Sequence, residues 1–121
     1  MERLVRTGLL YDFYGGLLTE KQQRVMELYF LENWSLAEIA ASEGVSRQAV
    51  HDLLQRSEKI IEGFETKLGL LERFSRQQTI LTKIQNELQL VLNENLDPNG
   101  PVYQRLSRIK EQVVRLIESE N

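Results

Sequence analysis

The sequence contains no cysteine and a single histidine, His51. It can therefore build neither a disulfide framework nor a thiolate metal site, and it lacks the set of imidazoles a zinc centre needs. A Ser-His-Asp triad would have only His51 to use, and that residue lies on the polar side of a helical pattern. No Gly-rich loop accompanies the carboxylates, and no acidic pair stands apart from ordinary surface charge. These absences predict no enzyme, no catalytic residue, no cofactor and no metal. Long apolar runs are missing too: nothing approaches the ~18 residues of a membrane helix, and Met1–Leu10 has two arginines without the apolar stretch of a secretory leader. The expectation is a cytoplasmic protein with no membrane insertion. An excess of positive charge is also lacking. The 15 Lys and Arg face 18 Asp and Glu, a net charge of −3, whereas nucleic-acid binders usually carry a basic balance. Only two prolines and seven glycines occur, mostly between patterned segments, which argues against disorder.

What is present is 41% hydrophobic residue in 121 positions, enough for a small core. Every strongly patterned stretch has the helical period and none alternates as a strand does, so the fold class is all-α. The first segment, Met1 to Tyr14, places Leu4, Val5, Leu9, Leu10 and Phe13 at helical spacing and stops at Gly15-Gly16. Thr19 with Gln22 makes a capping box that opens a second helix, with Val25, Met26, Leu28 and Tyr29 as its inner face. Asn33 and Trp34 break the run.

The most informative stretch is Ser35 to Leu54, SLAEIAASEGVSRQAVHDLL. Ser35 with Glu38 is a second capping box, flanked by Trp34 and Ile39 as a hydrophobic staple. The short helix ends near Ser42, Gly44 supplies a turn, and Ser46 caps the next helix with Val45 and Val50 as another staple. Counted from Leu36, a small residue (Ala40) falls fifth, Gly44 ninth, and Val50 and Leu53 fifteenth and eighteenth. This is the spacing of a helix-turn-helix. Ala40 lets the helices approach, and Ile39, Val45, Val50 and Leu53 fill the angle between them.

The second helix of such a motif offers its first turns to the major groove, so Ser46, Arg47, Gln48, His51, Asp52 and Gln55 are the candidate DNA-binding residues. Arg47 suits guanine, Gln48 suits adenine, and the free N–H groups after Ser46 suit a phosphate. The competing reading is a solvated face of an amphipathic helix. From Glu20 to Glu43 two basic residues meet five acidic ones, and from Ser46 to Glu62 three of each sign cancel. That balance predicts weak, salt-sensitive DNA binding helped by a dimer or a partner.

The stretch LTEKQQRVMELYFLENWSLAEIAASEGVSRQAVHDLLQRSEKII, Leu18 to Ile61, resembles region 4 of bacterial sigma factors, which binds the promoter −35 element. Over nearly the whole chain the sequence is similar to the YlxM family of small helix-turn-helix proteins of Gram-positive bacteria. The residues that carry this are Lys21, Gln22, Leu28-Tyr29, Ser35 to Ala40, and above all Ser46 to Asp52. The resemblance implies a sigma-region-4-like fold, no enzyme activity, and a gene beside that of the signal recognition particle GTPase, hence a regulatory role in that targeting pathway. The acidity and the segment after the recognition helix depart from sigma region 4.

That helix continues through Ile60, Ile61, Phe64 and Leu68 to a break near Gly69. A coiled-coil-like seam follows: Leu70, Phe74, Gln77, Leu81, Ile84, Leu88 and Val91 in one helix, then Val102, Leu106, Ile109, Val113 and Leu116 in another. Asp97-Pro98-Asn99-Gly100 reads as the turn between them, so the two form an antiparallel helical hairpin. The expected organisation is a helix-turn-helix domain at 1–68 and a hairpin at 69–121, serving dimerisation or packing, or merging with the first into one compact domain. The apolar stripe on each hairpin helix is wider than one partner covers, which favours a homodimer. Arg73, Arg76 and Lys83 share one face, and Arg105, Arg108 and Arg115 repeat the spacing. They are candidates for an RNA or acidic protein partner, set against the alternative of solvated charges balanced by nearby glutamates. The favoured function is a DNA-binding regulator; the alternative is an accessory that binds the signal recognition particle GTPase or its RNA without using DNA.

Overall fold

A computed structural model describes residues 2–119. They form six α-helices: α1 (Arg3–Tyr14), α2 (Glu20–Met26), α3 (Leu36–Glu43), α4 (Arg47–Leu68), α5 (Leu70–Leu92) and α6 (Pro101–Glu118). No strand occurs among the described residues, so the fold is all-α, a helix-turn-helix followed by a helical hairpin. The chain divides after Leu71 into two compact units.

The first unit has a closed core in which Leu10, Ile39 and Ile61 are fully buried, Tyr14, Met26 and Val50 are 1% exposed, and Val25 and Leu71 2%. Local chemistry starts its helices where the sequence predicts. The Thr19 hydroxyl accepts from Gln22 N–H and the Gln22 side chain accepts from Thr19 N–H; Ser35 and Glu38 repeat this reciprocal bonding. Being hydrogen-bonded by the Ser35 amide holds the Glu38 carboxyl below the usual carboxylate range.

Three details differ from the sequence expectation. In α1 the buried face is Thr7, Leu10 and Tyr14, while Leu4 and Val5 are about half exposed, at 51% and 53%. The second helix does not simply end: Glu27–Leu31 widens into a π-helical stretch after a regular α2. The wider turn lets three consecutive residues, Leu28, Tyr29 and Phe30, pack on one core, which a 3.6-residue period would spread around the helix. Burial and a hydrogen bond with Glu27 from this stretch push the Tyr11 phenol up to about 12. Finally, Val45 is exposed and Leu53 half-buried; Leu54, at 5% exposure, takes the core place beside Val50.

In the second unit the turn is as expected. Asp97 accepts from the Gly100 N–H with its carbonyl (2.9 Å) and from the Asn99 N–H with its carboxylate (3.0 Å), and Pro101 occupies the first turn of α6. The seam keeps Phe74, Leu81, Leu88, Val91, Leu106 and Val113 and is displaced by one residue at its other positions. The half-buried or buried positions of α6 are Tyr103, Leu106, Ser107, Lys110, Val113, Val114 and Ile117, and those of α5 include Phe74, Gln78, Leu81, Gln85, Leu88, Val91 and Leu92. Val102, Ile109 and Leu116 face outward at 57%, 46% and 57% exposure, as does Ile84 at 41%. The seam therefore carries polar side chains, and Lys110 donates to Gln89 Oε1 across it. Each helix keeps one column of the expected seam and moves the other by one residue, since both choices obey the same heptad period.

Candidate nucleic-acid interface

The interface is assembled at the joint between α3 and α4. Gly44 closes α3 with φ of +68°, a left-handed angle that any side chain would strain. Val45 N–H then returns to the Ala40 carbonyl at 3.1 Å, and Ser46 Oγ accepts from Ala49 N–H at 3.0 Å. The first backbone bond of α4 runs from Val50 N–H to the Ser46 carbonyl (3.2 Å). The amides of Arg47 and Gln48 precede that ladder and point from the helix N-terminus, where the helix dipole favours an anion. Ile39 and Val50 fix the two helices by meeting in the core, beside the small Ala40.

All six predicted site residues, Ser46, Arg47, Gln48, His51, Asp52 and Gln55, are exposed and lie on the outer side of α4. They are not equally free. Gln48 Nε2 donates to Asp52 Oδ1 at 3.0 Å, and His51 Nδ1 lies 3.6 Å from the same oxygen. Arg47 makes no side-chain hydrogen bond or ion pair among the described residues.

The charge on this helix is sorted by face. Glu58 and Glu62, which cancel two cations in a linear count, turn toward α1. Glu58 accepts from Arg3 at 2.9 Å, and Glu62 pairs with Arg6 through two bonds of 2.8 and 2.9 Å. The Arg6 hydrogen bond holds the Glu62 carboxyl below its ordinary range, and the same bond raises the guanidinium. What remains outward is Arg47, Arg56 and Lys59 against Asp52, all exposed. Arg56 and Lys59 extend this outward face beyond the six residues expected from the sequence. Their signal was available: Gln48, Asp52 and Arg56, and His51, Gln55 and Lys59, are successive four-residue steps along one face. The acidity of Glu20 to Glu43 gathers elsewhere, in a cleft lined by Glu20, Glu27, Glu32 and Glu43, where Arg24 already pairs with Glu43 at 2.9 Å.

A half-buried polar joint ends α4. Tyr14 donates to Glu65 Oε1 at 2.7 Å and accepts from Leu70 N–H at 3.1 Å, while Glu65 accepts from Leu71 N–H at 3.0 Å. These bonds satisfy the first amides of α5 directly after Gly69, whose φ is +63°. In the second unit Arg73, Arg76, Lys83, Arg105, Arg108 and Arg115 are all exposed, and Arg76 pairs with Glu72 at 2.7 Å. Among the described residues no group of His, Asp and Glu side chains is arranged to hold a metal ion, and no helix is long and apolar enough to cross a membrane.

Comparison with known proteins adds a family. Residues 1–97 match UPF0122, described as "Putative helix-turn-helix protein, YlxM / p13 like". The chain is 48% identical over 88 residues to a UPF0122 protein of Symbiobacterium thermophilum, covering 73% of this chain and 82% of that one. It is 41% identical over 113 residues to a UPF0122 protein of Thermoanaerobacter sp., covering 93% and 92%. A UPF0122 protein of Geobacillus kaustophilus is 45% identical over 86 residues, covering 71% and 78%.

Proposed function

Because the chain belongs to the UPF0122 family of YlxM/p13-like helix-turn-helix proteins, we propose that it is a cytoplasmic DNA-binding regulator that lays the start of α4 in the major groove. Arg47, Gln48, His51, Asp52 and Gln55 face base edges, Ser46 and the first amides of α4 hold a phosphate, and Arg56 and Lys59 reach the backbone further along. The observation that carries this reading is the sorting of charge on α4: Glu58 and Glu62 pair with Arg3 and Arg6 behind the helix, and Arg47, Arg56 and Lys59 stand in front with Asp52 as the one acid among them. A protein with net charge −3 thereby presents a locally positive helix to a polyanion. The proposed assembly is a homodimer through the hairpin. Its support is the outward apolar row Val102, Ile109 and Leu116, together with Ile80 and Ile84, and twofold symmetry would let two recognition helices read two half-sites. In this reading 1–68 is the DNA-binding domain and 69–121 the dimerisation hairpin.

The test is salt-titrated binding of the purified protein to genomic DNA fragments, unrelated duplex and the signal recognition particle RNA. DNA binding should weaken with salt at a log–log slope of about −3 per copy, one unit for each of Arg47, Arg56 and Lys59. Arg47→Ala should cost roughly 1–3 kcal/mol on a preferred site; an equal loss on every duplex would mean that Arg47 reads no sequence. A second reading makes the protein an accessory of the signal recognition particle, sigma-region-4-like in fold only. Its support is the exposed Lys83, Arg105, Arg108 and Arg115 of the hairpin. Binding to the particle RNA or GTPase with no affinity for DNA, abolished by exchanging Arg105, Arg108 and Arg115 for Glu, would favour it.

A further inference from the structure

Within the hairpin, one inward column of α5 is Gln78, Gln85 and Leu92, and one of α6 is Tyr103, Lys110 and Ile117. The columns one residue earlier carry exposed apolar side chains: Ile84 in α5, and Val102, Ile109 and Leu116 in α6. Ile80, exposed as well, lies one helical turn before Ile84. In an antiparallel pair, columns displaced in the same direction from the two inward lines fall on the same side. The two bare rows therefore border one groove between α5 and α6. An apolar stripe this wide belongs to a helix with two neighbours, and each of these has one. Charge beside the groove is mostly of one sign. Lys83 lies three residues from Ile80, Arg105 three from Val102, and Arg108 and Arg115 directly precede Ile109 and Leu116. All four are exposed, and their side chains make no hydrogen bond or ion pair among the described residues. Glu111 and Glu118 follow Lys110 and Ile117 by one residue, toward the opposite side, which leaves Glu87 as the carboxylate of the two helices beside the bare rows.

We propose that this face is a docking groove for an acidic amphipathic helix of another protein. The helix lays its apolar row between the isoleucines of α5 and the Val102, Ile109 and Leu116 row of α6, and sets carboxylates beside Lys83, Arg105, Arg108 and Arg115. It thereby supplies both things the face lacks, an apolar cover and counter-charge. RNA supplies only the second. It would leave the isoleucines against water, and the aromatic rings of the two helices, Phe74 and Tyr103, sit on the inward columns where no base can stack on them. A second copy supplies only the first, because it brings the same cations to the borders, where like charges repel. The homodimer proposed above needs the same two rows, so the acidic helix displaces the second copy. This competition rests on the dimer reading; the docking does not.

The probe is a synthetic peptide about three heptads long, with leucine at a and d and glutamate elsewhere, and its control carries lysine in place of every glutamate. Binding to the full-length protein is read by fluorescence anisotropy and assembly by sedimentation velocity. The acidic peptide should bind and the lysine peptide should not. Ile109→Asp, and separately the joint exchange of Arg105, Arg108 and Arg115 for Glu, each checked for unchanged helical content, should weaken binding by about 10–100-fold. Added salt should weaken the peptide complex and strengthen self-association, since it screens attraction in the first and repulsion in the second. Saturating peptide should convert dimer into single copies that carry peptide. Absence of binding, equal binding of both peptides, or an affinity that Ile109→Asp leaves unchanged overturns the docking. Binding of an RNA hairpin or of phosphatidylglycerol vesicles in place of the peptide, lost in the arginine variant, overturns it too. A dimer that persists with peptide bound overturns the competition. A protein that stays a single copy at every concentration and binds the peptide removes the dimer reading and upholds the docking.

Discussion

Ile39 in the first unit is fully buried, whereas Ile109 in the hairpin is 46% exposed; both are isoleucines in amphipathic helices with sound turn chemistry at their ends. The difference extends through the two regions. Around α4 the core closes on Leu10, Tyr14, Met26, Val50 and Ile61, and distant pairs such as Arg6 with Glu62 tie its rim. In the hairpin, Val113, at 8% exposure, is the only buried apolar side chain of α6, and Val102 and Leu116 remain 57% exposed. Helices in water depend more on burying a face than on propensity. The first unit buries its faces within itself, and the hairpin leaves an apolar stripe exposed.

The sharpest way to break this contrast is truncation of both isoleucines. Ile39→Ala should cost about 2–5 kcal/mol in urea unfolding, and Ile109→Ala within about 0.5 kcal/mol. A loss at Ile109 that approached the first and grew with protein concentration would mean that a second copy covers that face. Next in size is Tyr14→Phe. It strips a bond from half-buried Glu65 and from the Leu70 amide, for an expected loss of about 1–3 kcal/mol; no change in the urea midpoint would mean that water replaces the hydroxyl. Glycines provide a test by sign. Gly44→Ala forces a left-handed alanine and should cost about 1–2 kcal/mol, whereas Gly63→Ala, inside α4 with open space around its Cα, should gain about 0.5–1 kcal/mol. Two losses would mean that Gly63 is held for a contact.

The smallest effect is electrostatic. Arg6 holds the Glu62 carboxyl below its unfolded range, so the pair's stabilisation is fully present above about pH 4.3 and is lost as pH falls through the folded value. Both side chains are more than a third exposed, at 41% and 46%, which keeps the contribution under about 1 kcal/mol. Comparing Glu62→Gln with the parent, the gap in urea midpoint at pH 7 should shrink as pH is lowered through the folded value of Glu62. A gap that persists would assign it to packing.

Much of this molecule is legible in short stretches. Thr19 with Gln22, Ser35 with Glu38, Ser46 with Ala49, and the turn Asp97 to Gly100 involve residues two or three apart, and the structure contains each bond the spacing predicts. The recognition helix and its outward residues follow from the same local rules. The displaced seam does not: Gln85 rather than Ile84, and Lys110 rather than Ile109, lie inward, because the period fixes a spacing and leaves the starting phase to the partner. The π-helical stretch at Glu27–Leu31 is likewise a response to the core, which draws Leu28, Tyr29 and Phe30 to one side. The outward place of Arg56 and Lys59 beside the expected residues is hidden from the sequence because a count along the chain sets them against Glu58 and Glu62.

The sequence by itself determined the all-α class, the helix starts and stops, and the helix-turn-helix spacing, since each rests on hydrogen bonds and backbone angles within a few residues. Only the tertiary structure decided which charges cancel. Glu58 and Glu62 meet Arg3 and Arg6 across more than fifty residues, and the energy of an ion pair depends on distance in space rather than along the chain. That pairing turns a helix of zero formal charge into one with a positive outer face.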